Sequence, residues 1–313
     1  AHLAKSQSCP TNCNGAAALA SGFVDGCTAF FAEAERIEDQ KIREKNKNDA
    51  RSCYMKRAQG TKSLTLVLPD GLGLEPRFDR LPDPSWIGIE VCFTLKTPWY
   101  SRDDRPLHVL DNTVRKDRVF GVPFMAAASW KGLLRWACRM TAGLVDYLAT
   151  HDRGLDGWKD RPWILHLFGN EKGEDTSFQR GALAFYPTWF SKVGFEVINS
   201  HSRKTRAGTQ PIFYEVVPPL AEGALRLLYA PTPGAGARDD VTAAEALACL
   251  LNAVHALLFS YGISAKRTAG WGTACPTKWG AYRNGVQPLQ ASDVSEFKEE
   301  LRKWLPPTER ADG

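Results

Sequence analysis

Cysteine, long apolar runs and a strong charge of either sign are all scarce in this chain. Its eight cysteines among 313 residues are scattered rather than clustered. That excludes a disulfide-dense secreted scaffold and predicts reduced thiols in a cytoplasmic protein. The most apolar stretch, 243–263, is interrupted by Glu245, Asn252, His255 and Ser260 and fails as an uninterrupted membrane span. The N-terminus lacks the basic start and continuous apolar segment of a signal peptide, so the expectation is a soluble protein without a membrane partner. Lys and Arg number 40 against 35 Asp and Glu, and a net charge of +5 names no partner by itself. With 43% hydrophobic and 24% charged residues the composition is that of an ordinary globular protein, with chain enough for a sizeable core.

Periodicity predicts an α+β chain. Phe23, Cys27, Phe30, Phe31, Ala34 and Ile37 share one helical face, and the mixed-charge run after them predicts a solvated helix end or linker. Residues 63–69 predict a short strand. Residues 86–96 alternate cleanly, with Ile87, Ile89, Val91, Phe93 and Leu95 on one face. A loop over 97–128 exceeds the usual connection length, which marks a functional excursion. A helix over 129–148 carries the stripe Trp130, Leu133, Leu134, Ala137, Thr141, Leu144, Val145 and Leu148, with Lys131, Arg135 and Arg139 along an exposed line. Strands over 181–187, 211–218 and 223–230, a helix over 241–261, a glycine-rich loop with a following strand, and a helix over 292–305 complete the pattern.

The order is βαββαβ, a ferredoxin-like (RRM-like) core with long loop insertions. It divides the chain into an N-terminal helical extension (1–80), a ferredoxin-fold domain (81–290) and a C-terminal helix and tail (291–313).

The charge is unevenly placed. Between residues 102 and 139 stand eight basic and four acidic residues, so +4 of the net +5 lies in one loop and helix start. There Ser129 is placed to cap the helix, where free N–H groups and Lys131 would favour a phosphate. A second cluster, Arg203, Lys204 and Arg206, follows His201. A third, Lys266 and Arg267, opens a loop whose Gly270, Trp271 and Gly272 would let a ligand approach the backbone. Either these are solvated basic faces, or one nucleic acid engages all three.

The run LDNTVRKDRVFGVPFMAAASWKGLLR (110–135) places Asp111, Asn112, Val114, Lys116, Asp117, Pro123, Ser129, Lys131, Gly132 and Arg135 in a distinctive spacing. It resembles the signature of the RAMP superfamily of CRISPR-associated proteins, in particular the backbone subunit of type III effector complexes. Residues 167–169, 181–185, 202–218 and the terminal Gly-Trp-Gly follow in the family's order, so the resemblance covers about 86–283. Thr113 stands where Pro is usual, Ala126 to Ala128 replace a Pro-Gly-Ser lead-in, Trp130 replaces an aliphatic residue and Ala269 a basic one.

The resemblance implies that Ser129, Lys131, Arg135 and the glycine-rich loop hold crRNA, and the basic cluster adds Arg115, Lys116 and Arg139 as candidate RNA contacts. The resemblance also implies a hairpin near 199–212 that wedges into the guide–target duplex, and partners comprising crRNA, target RNA and other effector subunits, copies of itself or paralogues included. Asp111 matches the carboxylate that supports metal-dependent cleavage of target RNA, with Mg²⁺ or Mn²⁺ as the ion and His108 as a candidate proton-transfer helper. Alternatives stay open: a non-catalytic assembly subunit, a precursor-crRNA endoribonuclease using His108 or His201, or an unrelated RNA-binding protein. The spacing Cys9-x₃-Cys13, with Cys27 and Cys53, permits a structural zinc site but fits no compact template.

Overall fold

The computed structural model describes residues 26–60, 73–104, 108–170, 180–201, 208–231 and 241–305. The strand expected over 63–69 and the basic cluster Arg203, Lys204 and Arg206 lie outside them, as do Cys9 and Cys13. The first strand, β1 (Ile87–Leu95), is the axis of the fold. Its alternation holds as expected: Ile87, Ile89, Val91, Phe93 and Leu95 are all at most 2% exposed and point into one core. It pairs antiparallel with β7 (Glu222–Tyr229) on one side and β8 (Ala274–Arg283) on the other. β3 (Leu183–Phe185) flanks β7 and β9 (Val286–Ala291) flanks β8, giving the order β3-β7-β1-β8-β9, while the short β2 (Phe124–Met125) and β4 (Thr188–Trp189) pair with each other outside this sheet. Without the added edge strand β9, that is the antiparallel ferredoxin-like sheet, with each crossover carrying a helix.

The helices cover one face only. α3 (Ala127–Arg139), α5 (Pro162–Phe168), α6 (Ala243–Ala256) and the C-terminal α7 (Val294–Trp304) share the hydrophobic cluster of the strands. α6 runs on through a wider turn, Leu257–Tyr261, and this 19-residue stretch is long and apolar enough by composition to span a bilayer. Its Leu247, Leu250, Leu251, Val254, Leu257 and Leu258 are buried in the core instead, as in the central helix of a globular domain. α3 likewise runs through a wide turn, Met140–Leu144, into α4 (Val145–Thr150). Gly143 sits at φ +103° in that turn and breaks the helical phase. The stripe predicted for one straight helix therefore fails at its end, where Val145 is half exposed.

Two other expectations change. The strand predicted over 211–218 is β6 (Gly208–Val216), and it pairs with β5 (Gly194–His201) in a hairpin separate from the main sheet. Alternation reports a strand but not its partner. The mixed-charge run after the first helix, α1 (Gly26–Ala34), forms the start of a second helix, α2 (Gln40–Gly60), whose first turn is capped by Asp39 accepting from the Ile42 amide. α1 and α2 pack on residues 108–110 and on Phe195 of β5 through Cys27, Phe30, Phe31, Ala50 and Tyr54. Leu134 is fully buried at the centre of α3. Leu134→Ala is expected to lower the unfolding free energy by about 2–5 kcal/mol, read as a fall in the denaturant midpoint with an unchanged slope.

Candidate nucleic-acid interface

Two loops meet at the start of α3. Segment 262–272 is stitched to residues 99–101: Trp99 Nε1 donates to the Ile263 carbonyl at 3.0 Å, Ser264 Oγ donates to the Tyr100 carbonyl at 3.0 Å, and the Ala265 amide donates to that carbonyl at 2.8 Å. Gly272, at φ +86°, is needed there because a Cβ would lie 2.3 Å from the Ser264 amide nitrogen. Gly270, at φ +79°, faces open space. Between this loop and α3 lies a cleft of about 360 Å³ lined by Ser101, Ser129, Gly132, Leu133, Ser264 and Arg267, among others.

The cleft has unmet donor capacity. α3 starts at Ala127 with Ala126 as its N-cap and no side-chain cap. Ser129 is thus inside the first turn rather than capping it, which corrects the expectation and leaves its hydroxyl lining the cleft. Arg267 lies over the Trp136 ring at 4.6 Å, and its Nη1 is buried without a hydrogen-bond partner among the described residues. A buried guanidinium donor without an acceptor is costly, and an incoming anion removes the cost. Lys131, exposed, directly precedes the cleft-lining Gly132, and the Arg115 amide donates at 2.7 Å to the carbonyl of Ser101, which also lines the cleft.

Other predicted contacts are spent inside the protein. Arg135 and Arg139 do not form an exposed line with Lys131: both grip Asp160, whose side chain is 3% exposed, with Arg135 donating at 2.7 and 3.0 Å and Arg139 at 2.6 and 2.9 Å. Lys116 is buried too, 2.5 Å from Glu215 and donating at 3.0 Å to the Tyr54 hydroxyl. Lys266 lies over the Tyr214 ring at 5.2 Å, and Trp271 packs edge-on against the same ring, so both shape the loop from the side of β6. Asp160, Glu215 and Tyr54 escaped sequence reasoning. The signal that could have found them was Glu215 itself, a carboxylate in the otherwise apolar run Phe213–Val217, which demands a buried partner.

Asp111 is exposed, but its flanks are not. Val109, Leu110, Thr113 and Val114 are buried. The Val109 amide donates to Thr28 Oγ1 of α1 at 3.3 Å, the Glu215 amide donates to the Asn112 carbonyl at 2.9 Å, and the Val114 amide donates to Glu215 Oε2 at 3.2 Å. His108 packs edge-on to Tyr54 at 4.9 Å, and its Nδ1 accepts from the Leu110 amide at 3.1 Å, an arrangement that shapes the turn. Among the described residues no group of three or more His, Cys, Asp or Glu converges on a metal position. Of the cysteines considered for zinc, Cys27 is a buried free thiol, whereas Cys53 is disulfide-bonded, which takes it out of any zinc site and corrects the expectation that the thiols are all reduced.

The sequence model of the RAMP superfamily matches residues 92–275, more than half of the chain. The chain belongs to the RAMP superfamily. The matched span of this RAMP chain holds Asp111, the cleft, Glu215 and Arg267, whereas α1 and α2 precede it. No curated protein sequence matches the chain. Among solved structures, a chain of a type III-B Cmr-beta complex bound to cognate target RNA aligns at TM-score 0.40 and 13% identity, over 64% of this chain and 61% of that one. Chains of a CRISPR RNA-guided surveillance complex align at 0.44 with 15% identity, in a pre-nicking state, and at 0.42 with 16%. Each covers 71% of this chain, and 89% and 86% of the respective partner.

Asp160 gives this RAMP chain a pH signature. Burial alone would raise its carboxyl, but hydrogen bonds from Arg139, Arg135 and Trp158 outweigh it and hold the group below its ordinary value. A depressed folded value stabilises fully above the ordinary carboxylate range and is lost as pH falls through the folded value. Unfolding free energy is expected to decline below about pH 5, and Asp160→Asn to flatten that decline. At pH 7 Asp160→Ala is expected to cost about 3 kcal/mol or more, because two guanidinium groups lose their buried acceptor. Chemical denaturation across pH checks both.

Proposed function

We propose that this RAMP chain is a crRNA-binding, backbone-type subunit of a type III CRISPR effector ribonucleoprotein. The observation that carries the RNA-binding part is the cleft between α3 and the 262–272 loop, where Arg267 Nη1 is buried beside Ser129 without an acceptor among the described residues. A phosphodiester oxygen supplies that acceptor, and the uncapped start of α3 favours its charge. Lys131 and Arg115 extend the path. Arg135 and Arg139 stabilise α3 from within, through Asp160, and touch the RNA path only by holding that helix.

Asp111 is the proposed centre for cleavage of target RNA. A bound Mg²⁺ or Mn²⁺ would neutralise the scissile phosphate. The chain's own contribution is to present one exposed carboxylate on a braced turn, where it can ligate that ion or orient the attacking 2′-hydroxyl. Such a residue on a loop fixed by a rigid scaffold is a frequent arrangement for functional groups. The partners that fit are crRNA, target RNA and further effector subunits.

Two measurements test this. Binding of a fluorescein-labelled single-stranded RNA to the full chain should weaken in Arg267→Ala and Lys131→Ala. The slope of log K against log salt should drop by about 0.7 for each phosphate no longer neutralised. Unchanged affinity and slope would remove those residues from the path. In the ribonucleoprotein purified through a tag on this chain, Asp111→Asn should abolish Mg²⁺-dependent cleavage of a labelled target while retaining target binding. Cleavage at the wild-type rate would leave a binding and assembly subunit.

A further inference from the structure

We infer that Tyr54, Lys116 and Glu215 are positioning residues for Asp111, and that the helical pair α1–α2 belongs to the site for that reason. The inference rests on the proposed cleavage role of Asp111. It adds to that role a part for residues that lie before the matched family span.

The geometry is a buried three-way junction. Glu215 of β6 is fully buried, and its Oε1 accepts from the Tyr54 hydroxyl of α2 at 2.6 Å and from Lys116 Nζ at 2.5 Å. Its Oε2 accepts from the Val114 amide at 3.2 Å. One carboxylate thus joins the N-terminal helices, the far end of the Asp111 loop and the β5–β6 hairpin. Burial would raise the Glu215 carboxyl, but the Lys116 charge and the hydrogen bonds from Lys116 and Tyr54 hold it below its ordinary value.

The turn that carries Asp111 is clamped from both sides of the chain. On its N-terminal side Val109 and Leu110 are buried against Cys27, Ala50 and Tyr54. On its C-terminal side Asn112 is strapped to β6, with its carbonyl accepting from the Glu215 amide at 2.9 Å and its Nδ2 donating to the Phe213 carbonyl at 3.3 Å. Asp111 projects between these anchors. A reacting carboxylate has to be held close to its productive geometry, and the rate falls steeply when it is displaced by about 1 Å. Tyr54 is the member of the junction supplied by the N-terminal helices, and it reaches Glu215 through a single hydroxyl.

The test uses Tyr54→Phe, which removes that hydroxyl and keeps the ring, with Glu215→Gln as the stronger variant. In the full chain, amide hydrogen exchange over 108–114 should accelerate about tenfold in Tyr54→Phe, while the amides of β1 keep their protection. In the tagged ribonucleoprotein with saturating Mg²⁺, the single-turnover cleavage rate of labelled target RNA should fall about tenfold, with its dissociation constant within about twofold. A general loss of structure would move β1 exchange and target affinity as well. If Glu215→Gln fails to fold, Tyr54→Phe decides alone. Wild-type exchange over 108–114 in Tyr54→Phe overturns the brace. Faster exchange with a wild-type cleavage rate overturns the positioning role. Cleavage that survives Asp111→Asn overturns the reading on which the inference rests, while the exchange result still decides the brace.

Discussion

A carboxylate with no access to water is the constraint around which the loop side of this protein is arranged. Removing Glu215 from solvent carries a penalty of several kcal/mol, and the chain offsets it with three donors, one from α2 and two from the 108–117 loop, so that with β6 three segments far apart in sequence meet at this carboxylate. None of these segments can shift independently. If α2 moves, Glu215 loses the Tyr54 hydroxyl. If the 108–117 loop moves, it loses the Lys116 charge and the Val114 amide together. Junctions of this kind specify one arrangement because the partial arrangements leave a buried charge poorly satisfied.

The charge concentrated between residues 102 and 139 obeys the same rule. As a sum over sequence it resembles the footprint of a polyanion, but a field at the surface depends on what each cation already faces. Lys116 faces Glu215, Arg135 and Arg139 share Asp160, and Arg118 lies 3.4 Å from Asp104. Four of the eight basic residues are thereby answered within the protein. The attraction proposed for RNA then falls to fewer groups, Arg267, Lys131 and Arg115. The strongest case among them is the cation furthest from that segment in sequence.

What the sequence made legible follows the range of the forces involved. β1 and α6 could be read directly because a buried face imposes its period on adjacent residues, and the family signature over 110–135 marked the turn that carries Asp111. The partner of β6 could not be read, because alternation is the same whether a strand joins the main sheet or a separate hairpin. The first N-terminal helix was visible as a helix, the second was read as a solvated helix end or linker, and the place of both was hidden: it depends on Tyr54 meeting a carboxylate 161 residues away. Ser129 was misplaced by three positions because the local signal for a cap, a hydroxyl before an apolar stripe, competes with the backbone of the 123–126 segment. Pro123 and Met125 lie in paired backbone, and the helix starts as soon as that pairing ends, at Ala127.

A ferredoxin-like sheet invites the expectation that RNA lies on its uncovered face, where aromatic side chains of RRM-type proteins stack bases. Here that face is closed. Phe78 and Leu81 pack over it with Trp86, Tyr186 and Tyr282, and Phe78 lies so close to Gly88 that a Cβ there would sit 2.3 Å from its ring. The polar part of the face carries Arg226 held between Glu90 at 2.7 Å and Glu75 at 2.8 Å, two carboxylates to one guanidinium. The aromatics are occupied with one another and Arg226 already faces two carboxylates, so this part of the face offers a phosphate chain no stacking platform and no unanswered guanidinium. The opposite holds at the loop end of the sheet, where the start of α3, the buried Arg267 donor and the braced Asp111 turn are held by β1, β6 and the segments stitched to them. The fold thus contributes to function as a frame that fixes the loops at one end of its sheet, with its broad surface given over to stability.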